Sequence, residues 1–143
     1  MPPACLNPEI VAVMERELAR RAASGRRSKY GVDQSEAGRL ARTYSGRVYA
    51  SLAEARYAAI LDLRKKVGEI KEWWAQQTIP LVVNGVVVAK MVADFKLLLT
   101  SGNAIEYVEI KGALTETYQL KRKLLRAIYP DIRYTVIPSK DVR

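Results

Sequence analysis

Histidine is absent from the 143-residue sequence, and cysteine occurs once, at Cys5. Without histidine the chain cannot build Ser–His or Cys–His catalytic pairs, histidine general bases or most transition-metal sites. A single cysteine excludes an intrachain disulfide and a cysteine-rich zinc site. Any chemistry must therefore rest on carboxylates, lysines, tyrosines or hydroxyls, and such oxygen ligands favour Mg²⁺ or Mn²⁺.

Long apolar runs are missing as well. No stretch reaches the roughly 20 apolar residues needed to span a bilayer. The N-terminus carries two prolines and an early Glu9 but no long apolar region, so we expect no signal peptide. These features predict a cytoplasmic protein that does not use a membrane.

The composition is that of a globular protein with a basic surface. Hydrophobic residues make up 49% of the chain and charged residues 27%, which fits a folded domain with a core rather than a disordered chain. The formal net charge of +9 favours a polyanionic partner, nucleic acid first and an anionic membrane surface second. The alternative is a basic protein whose charge serves solubility alone.

The first 41 residues predict an N-terminal extension. Apolar spacing indicates a helix over about 8–23. This helix could be an arm for dimerisation or DNA contact, or it could cap the domain. A homodimer is therefore one possible state of the protein. A basic loop follows at 24–30, whose Arg26, Arg27 and Lys29 could order on phosphates or simply be solvated. We expect residues 42–143 to form the main part of a single compact domain.

Turn and capping signals divide residues 33–143 into alternating elements. Residues 33–41 predict a short helix, and 42–49 an extended or hairpin segment centred on Ser45-Gly46. The order that follows is a helix, three antiparallel strands, a helix and a strand. Such an order predicts an α/β fold with a central mixed sheet. The predicted elements are a helix from Ser51 to Val67 ended by Gly68, a linker over 69–77, an Asn84-Gly85 hairpin within 81–88, strands at 91–99 and 105–111, a helix over 115–129 and a strand at 132–137.

Apolar spacing also predicts which helix faces are buried. In the helix that begins at Ser51, one apolar stripe is predicted, and Ala58 and Leu61 make the neighbouring face apolar too. The members of the stripe are Leu52, Ala55, Ala59, Ile60, Leu63 and Val67. In the last helix, the predicted buried face carries Leu120, Leu124 and Ile128, and the predicted outward residues are Gln119, Arg122, Lys123 and Arg126.

The stretch Val108-Glu109-Ile110-Lys111-Gly112 carries the most specific chemical signal. In a strand, Val108 and Ile110 can enter the core while Glu109 and Lys111 share the other face. If the preceding strand pairs with this one, Asp94 approaches Glu109 at the strand ends. We expect Asp94 and Glu109 to hold a divalent metal, with the backbone carbonyl of Ile110. Lys111 would stabilise charge on a phosphate, because the adjacent carboxylates favour its charged form.

Asp94 followed by Glu109-Ile110-Lys111, within this order of elements, resembles the PD-(D/E)XK nuclease superfamily. More closely, the chain is similar to a small, poorly characterised phage- and prophage-borne family of endonuclease-like, Holliday-junction-resolvase-like proteins. The likeness is carried by residues 49–57, 68–70, 92–95 and 108–124, and covers about Arg42 to Val136. Ala93 stands where the superfamily has a proline before its aspartate.

The resemblance implies a restriction-endonuclease-like core with one extra N-terminal helix. It also implies that Glu54 joins Asp94, Glu109 and Lys111 in a catalytic Mg²⁺ or Mn²⁺ site, whereas a helix capping box alone would also explain Glu54. Gln119, Lys121 and Lys123 fall where related nucleases carry polar and basic residues on the following helix. The predicted DNA-binding set is Gln119, Lys121, Arg122 and Lys123, with Arg26, Arg27, Lys29, Arg42 and Arg47.

The expected function is a metal-dependent DNA endonuclease in phage recombination, replication or packaging, and junction resolution is one refinement of it. A non-catalytic nucleic-acid-binding module is the second interpretation. Two carboxylates facing a phosphate argue against it, because they would weaken binding without a metal. A structural protein of a phage particle is the third.

Overall fold

The computed structural model describes residues 31–143 and, of the residues before them, Arg16 alone. The helix predicted over 8–23, apart from Arg16, and the basic loop with Arg26, Arg27 and Lys29 lie outside the described residues. The chain divides into two compact units, Met1–Ser51 and Leu52–Arg143. The boundary predicted from the sequence, after residue 41, falls earlier than this division.

The first unit, where it is described, consists of short elements: helix α1 at Glu36–Ala41, strand β1 at Thr43–Tyr44 and strand β2 at Arg47–Val48. Ser35 caps α1, and the two strands pair antiparallel. Ser45 and Gly46 form the turn with φ angles of 49° and 79°, a left-handed conformation that suits a tight hairpin. The predicted short helix and the hairpin centred on Ser45-Gly46 are therefore confirmed.

Arg42 has a structural position in this unit. Its side chain is buried, with 8% exposure. The guanidinium donates from Nη1 to the carbonyl of Tyr49 at 2.7 Å, from Nη2 to that of Asp33 at 3.2 Å and from Nε to that of Gly38 at 3.2 Å. These nitrogens hold the backbone of the first unit together, and the contact of Arg42 with DNA stays a prediction.

The second unit is a mixed α/β arrangement of two helices and a four-stranded sheet in the order β3-β4-β5-β6. The first three strands are antiparallel, and β6 lies parallel to β5 after a helical crossover. The predicted order of elements and the mixed sheet are confirmed. The elements are α2 at Leu52–Lys66, β3 at Ile70–Val83, β4 at Val86–Leu99, β5 at Ile105–Lys111, α3 at Glu116–Ile128 and β6 at Arg133–Pro138, with single 3₁₀ turns at Ser101–Asn103 and Ser139–Asp141.

The linker predicted over 69–77 is wrong, because β3 already begins at Ile70. Trp73 pairs with Leu97 of β4 in the sheet. Aromatic residues favour strands, but the charged and amide residues around the two tryptophans hide the alternation. The resulting β3–β4 hairpin turns at Asn84-Gly85, with φ angles of 49° and 78°, as its two-residue signal predicted.

Helix α2 ends as the sequence predicted. The N–H of Gly68 donates to the carbonyl of Lys65 at 3.1 Å, and the N–H of Glu69 donates to that of Arg64 at 3.0 Å. This pair of bonds is a Schellman motif, which needs a residue with positive φ, and Gly68 supplies it at 81°. The chain therefore turns directly from α2 into β3.

The buried face of α2 is the one that the sequence placed second. Glu54, Ala55, Tyr57, Ala58 and Leu61 are buried. Of the predicted main stripe, Ala55 is buried and Ala59 and Ile60 are half-buried, whereas Leu52, Leu63 and Val67 are exposed. Small alanines allow the helix to approach the sheet closely, so the alanine-rich face, and not the leucine-rich one, enters the core.

Helix α3 shows a similar shift. It begins after Thr115, whose side chain accepts the N–H of Tyr118, and Leu124 and Ile128 pack against the core as predicted. Leu120 does not, since it is 68% exposed. Tyr118 and Leu125 occupy the centre of the buried face instead.

Two groups of side chains fill the interior of the second unit. Phe95 lies with its ring centroid 5.3 Å from that of Tyr57 and 5.8 Å from that of Trp73. The second group joins α3 to the β3–β4 hairpin and consists of Ile79, Leu81, Met91, Ala93, Tyr118 and Leu125. Among the residues that the structure describes, no helix is long and apolar enough to cross a membrane.

The reassigned face of α2 makes a stability prediction. Leu61 is 0% exposed and Leu63 is 61% exposed, on the same helix. Leu61→Ala should lower the free energy of unfolding by about 2–5 kcal/mol, because it leaves a cavity. Leu63→Ala should change it by less than about 0.5 kcal/mol. Urea denaturation of both variants checks this, and equal losses would contradict the assignment.

Candidate active site

The candidate site lies where two neighbouring strands stop pairing. The ladder between β4 and β5 runs from Leu98–Ile105 to Phe95–Val108, whereas β5 stays paired with β6 as far as Lys111. Just past the end of that ladder, Asp94 accepts the N–H of Ile110 through Oδ2 at 2.7 Å. A side chain thus takes the place of a strand carbonyl and ties the two diverging strands together.

Glu109 is a buried carboxylate with a partner on each oxygen. It is 6% exposed. Its Oε1 is 2.9 Å from Nζ of Lys111, and its Oε2 accepts a hydrogen bond from the hydroxyl of Tyr134 on β6. Burying a charged carboxylate is costly unless it is paired and hydrogen-bonded, and these two donors meet that requirement.

Lys111 is held from two sides. Besides its ion pair with Glu109, its ammonium lies 4.3 Å from the centre of the Tyr118 ring. A cation over an aromatic face is attracted by the ring quadrupole. The side chain keeps 30% of its surface exposed, so the ammonium is fixed at the edge of the site and still meets solvent.

Asp94 is partly buried and lies near other carboxylates. Burial and, next, the charge of Glu54 raise the pKa of Asp94 to about 7, and Glu109 adds to the increase. The hydrogen bond from Ile110 and the charge of Lys111 oppose it. Glu54 itself is 6% exposed in the first turn of α2. The structure therefore brings Glu54, Glu109 and Lys111 close to Asp94.

The ligand chemistry suits a hard cation, but the arrangement is not a ready-made metal cluster. Within residues 31–143, no group of three or more His, Cys, Asp or Glu is placed to hold a metal ion. Both oxygens of Glu109 are already engaged. Oxygen donors and an excess of carboxylates over ammonium groups are what Mg²⁺ requires. A cation at Asp94 and Glu109 would have to share or displace Lys111.

A groove of about 280 Å³ opens beside Glu109 and Lys111. Lys90 of β4 and Lys121 of α3 also line it, together with Thr115 and Thr117. Three lysines and one glutamate give this groove a positive balance, which suits a phosphate-bearing ligand. Lys90 was not singled out from the sequence, although it directly precedes the apolar run that leads to Asp94.

The predicted DNA-binding residues take different positions. Lys121 lines the groove, and Gln119 and Lys123 are exposed on α3. Arg122 is half-buried and its Nε is buried without a hydrogen-bond partner among the described residues, so it is not the outward cation predicted. Arg47 is exposed in the first unit, with its guanidinium 5.6 Å from the Tyr49 ring centre.

Tyr134 and Tyr118 are the site residues that sequence reasoning missed. Burial and the hydrogen bond to Glu109 raise the pKa of Tyr134 far above its usual value. Burial and the charge of Glu109 raise the pKa of Tyr118 as well, although its hydroxyl completes no hydrogen bond of normal geometry with the described residues. Both hydroxyls therefore stay protonated. Tyr134 could not be found by spacing, since the crossover alone sets the parallel register of β5 and β6.

Comparison with known proteins gives a family but no activity. A family model described as "Protein of unknown function (DUF1064)" matches residues 27–141. No curated protein and no solved structure matches the chain.

The raised pKa of Asp94 predicts how stability depends on pH. The pKa is about 7 in the folded protein against 3.8 for a free aspartate, so the folded state holds this proton more tightly. Its contribution to stability is complete below about pH 4 and is lost as the pH rises through 7, where Asp94 ionises against Glu54 and Glu109. Asp94→Asn keeps an acceptor for the Ile110 N–H but cannot ionise. In metal-free buffer, the free energy of unfolding of Asp94→Asn, relative to that of the wild type, should therefore increase from pH 5 to pH 8.

Urea denaturation at the two pH values measures this change. Asp131→Asn, at an exposed position, is the matched control and should follow the wild type. An equal pH response in Asp94→Asn and the wild type would show that Asp94 does not titrate in this range.

Proposed function

Because the chain belongs to the family whose model it matches, and the family description gives no activity, we propose the function from the site itself. The proposal is a metal-dependent endonuclease that hydrolyses DNA phosphodiester bonds on a restriction-endonuclease-like core. It acts in the cytoplasm in phage recombination, replication or packaging.

One observation carries the proposal. Asp94, Glu109 and Lys111, which lie on two strands, meet at the point where those strands separate, beside a groove lined by further lysines. Hydrolysis of a phosphodiester needs a polarised phosphate, an activated water and a stabilised leaving oxygen. Carboxylates for a metal and ammonium groups for the phosphate are the residue types that this reaction uses. The resemblance to the PD-(D/E)XK nucleases rests on the same residues.

Each residue of the site has a distinct role in the proposed reaction. Asp94 and Glu109 would hold Mg²⁺ or Mn²⁺, with Glu54 and the Ile110 carbonyl as further candidates. The bound cation supplies Lewis-acid polarisation of the phosphate and an acidified water. Lys111 offsets the negative charge that grows on the phosphate. The hydrogen bond from Ile110 fixes Oδ2 of Asp94.

Lys90 and Lys121 bind the backbone of the DNA in the groove. Phosphate contacts of this kind give affinity and position without reading sequence. Four-way junctions, forks and linear duplexes all present the same phosphates, and the substrate ranking therefore decides whether the enzyme resolves junctions. A homodimer would suit cleavage of two strands at one junction.

A specific observation favours a second candidate. Glu109 is already neutralised by Lys111, and the described residues form no metal cluster. A module that binds nucleic acid through its lysines and uses Glu109 only to position Lys111 would have the same contacts. Metal dependence separates this binder from the enzyme.

The first functional prediction concerns cleavage. Wild-type protein should cut labelled DNA in Mg²⁺ or Mn²⁺ and not in EDTA. Glu109→Gln should reduce the rate by roughly 100-fold or more, because it removes a ligand of the metal that stabilises charge in the transition state. Junction, fork, nicked and linear duplex substrates run in parallel give the preference.

Glu106→Gln is the matched control for this experiment. Glu106 lies on the same strand but bonds to Thr135 at 2.7 Å and is outside the groove, so its variant should cut like the wild type. DNA binding without cleavage, unchanged by metal or by Glu109→Gln, would leave the binding module. A protein that neither binds nor cuts DNA would instead be a structural protein.

The second prediction concerns the groove. Lys121→Ala should weaken binding to all DNA sequences alike and reduce the slope of log K against log salt by about 1, because one phosphate contact is lost. Fluorescence anisotropy over a salt series measures this slope. Lys66→Ala, an exposed lysine outside the groove, should leave it unchanged. Equal effects of the two variants would rule out the groove as the DNA path.

A further inference from the structure

The Glu109 carboxylate is oriented by a residue that the proposed reaction does not use. Tyr134 lies on β6, where its backbone pairs with Tyr107, and Val136 is the residue paired with Glu109. Side chains two apart on a strand share a face, so Tyr134 reaches across to Glu109 from the neighbouring strand. Its hydroxyl donates to Oε2 of Glu109.

The ring and the hydroxyl of Tyr134 have separable tasks. The ring packs against the core group that joins α3 to the β3–β4 hairpin. A phenylalanine would serve that packing equally well. The hydroxyl donates its hydrogen bond to Glu109.

The two oxygens of Glu109 therefore have different neighbours. Oε2 is held on the inner side by Tyr134, and Oε1 meets Lys111, whose side chain is partly exposed at the groove. The ring of Tyr118 holds Lys111 on its other side. The carboxylate cannot rotate without breaking the Tyr134 bond and leaving a buried oxygen unpaired, which is unfavourable.

We propose that Tyr134 is a positioning residue: it holds Oε2 of Glu109, so that Oε1, which is paired with Lys111, is the oxygen that a divalent cation at Asp94 and Glu109 would share with or take over from Lys111. The inference rests on the proposed metal-dependent function and names the residue that prepares its metal ligand. Hydrogen bonds to the carboxylates that ligate a metal orient them, and loss of one costs about 10–100-fold in metal affinity. Tyr118 supports the same arrangement by fixing Lys111.

Titration of the protein with Mn²⁺, without DNA, tests the proposal by calorimetry. Tyr134→Phe should bind Mn²⁺ about 10–100-fold more weakly than the wild type, because the orienting hydrogen bond is lost, and its DNA affinity in EDTA should not change. Tyr107→Phe is the matched control, because Tyr107 pairs with Tyr134 and packs on the same core group. It should bind Mn²⁺ like the wild type.

A double variant separates positioning from a general loss of structure. If Tyr134 acts through Glu109, adding Tyr134→Phe to Glu109→Gln should weaken Mn²⁺ binding no further. Additive losses, or a Tyr134→Phe protein that binds Mn²⁺ like the wild type while Glu109→Gln does not, would overturn the positioning role and leave the nuclease proposal intact. A wild-type protein that neither binds Mn²⁺ nor cuts DNA would overturn both.

Discussion

A charged carboxylate that is almost fully buried constrains everything around it. Glu109 sits at the end of β5, and its two oxygens need donors that come from different places in the chain. Lys111 comes from the same strand, and Tyr134 comes from the strand reached only after the α3 crossover. The helix in that crossover contributes the Tyr118 ring beneath Lys111. The site therefore depends on the central sheet and on the crossover, because each supplies a residue that holds Glu109 or Lys111.

The divergence of β4 from β5 gives the site its room. Where strands stay paired, their backbone groups bond to each other and leave no space for a ligand. Past Phe95–Val108 the ladder ends, and the Asp94 carboxylate takes the Ile110 N–H instead. Gln76 lies opposite Asp94 on the neighbouring strand β3. Its φ is 55°, which is uncommon for a residue other than glycine. The backbone departs from regular sheet geometry on both sides of Asp94.

Sequence reasoning succeeded where local chemistry decides. Asn84-Gly85 specified its turn and Gly68 ended its helix. Asp94 lies near Glu109 because their strands are consecutive in the chain and pair across a short connection. It failed where packing between distant segments decides: Leu63 and Leu120 are apolar at helical spacing, yet the faces carrying Ala58 and Tyr118 are buried instead. Arg42 was predicted to be an exposed cation, but its side chain is buried and donates hydrogen bonds to three backbone carbonyls. Tyr134 depended on a parallel register that no local pattern reveals.

The β3–β4 hairpin has a consequence for how the groove responds to fluctuations. Strand β5 pairs only with the Phe95–Leu98 segment of β4, so the outer end of the hairpin is a two-stranded ribbon. Isolated ribbons are marginally stable, and this one is held by the core residues of α3, the helix that forms one wall of the groove. Because the ribbon and α3 share this core group, local unfolding of the ribbon would remove the packing that holds α3. Lys90, Met91 and Val92 of the ribbon also line the groove, so the same opening would change both of its walls.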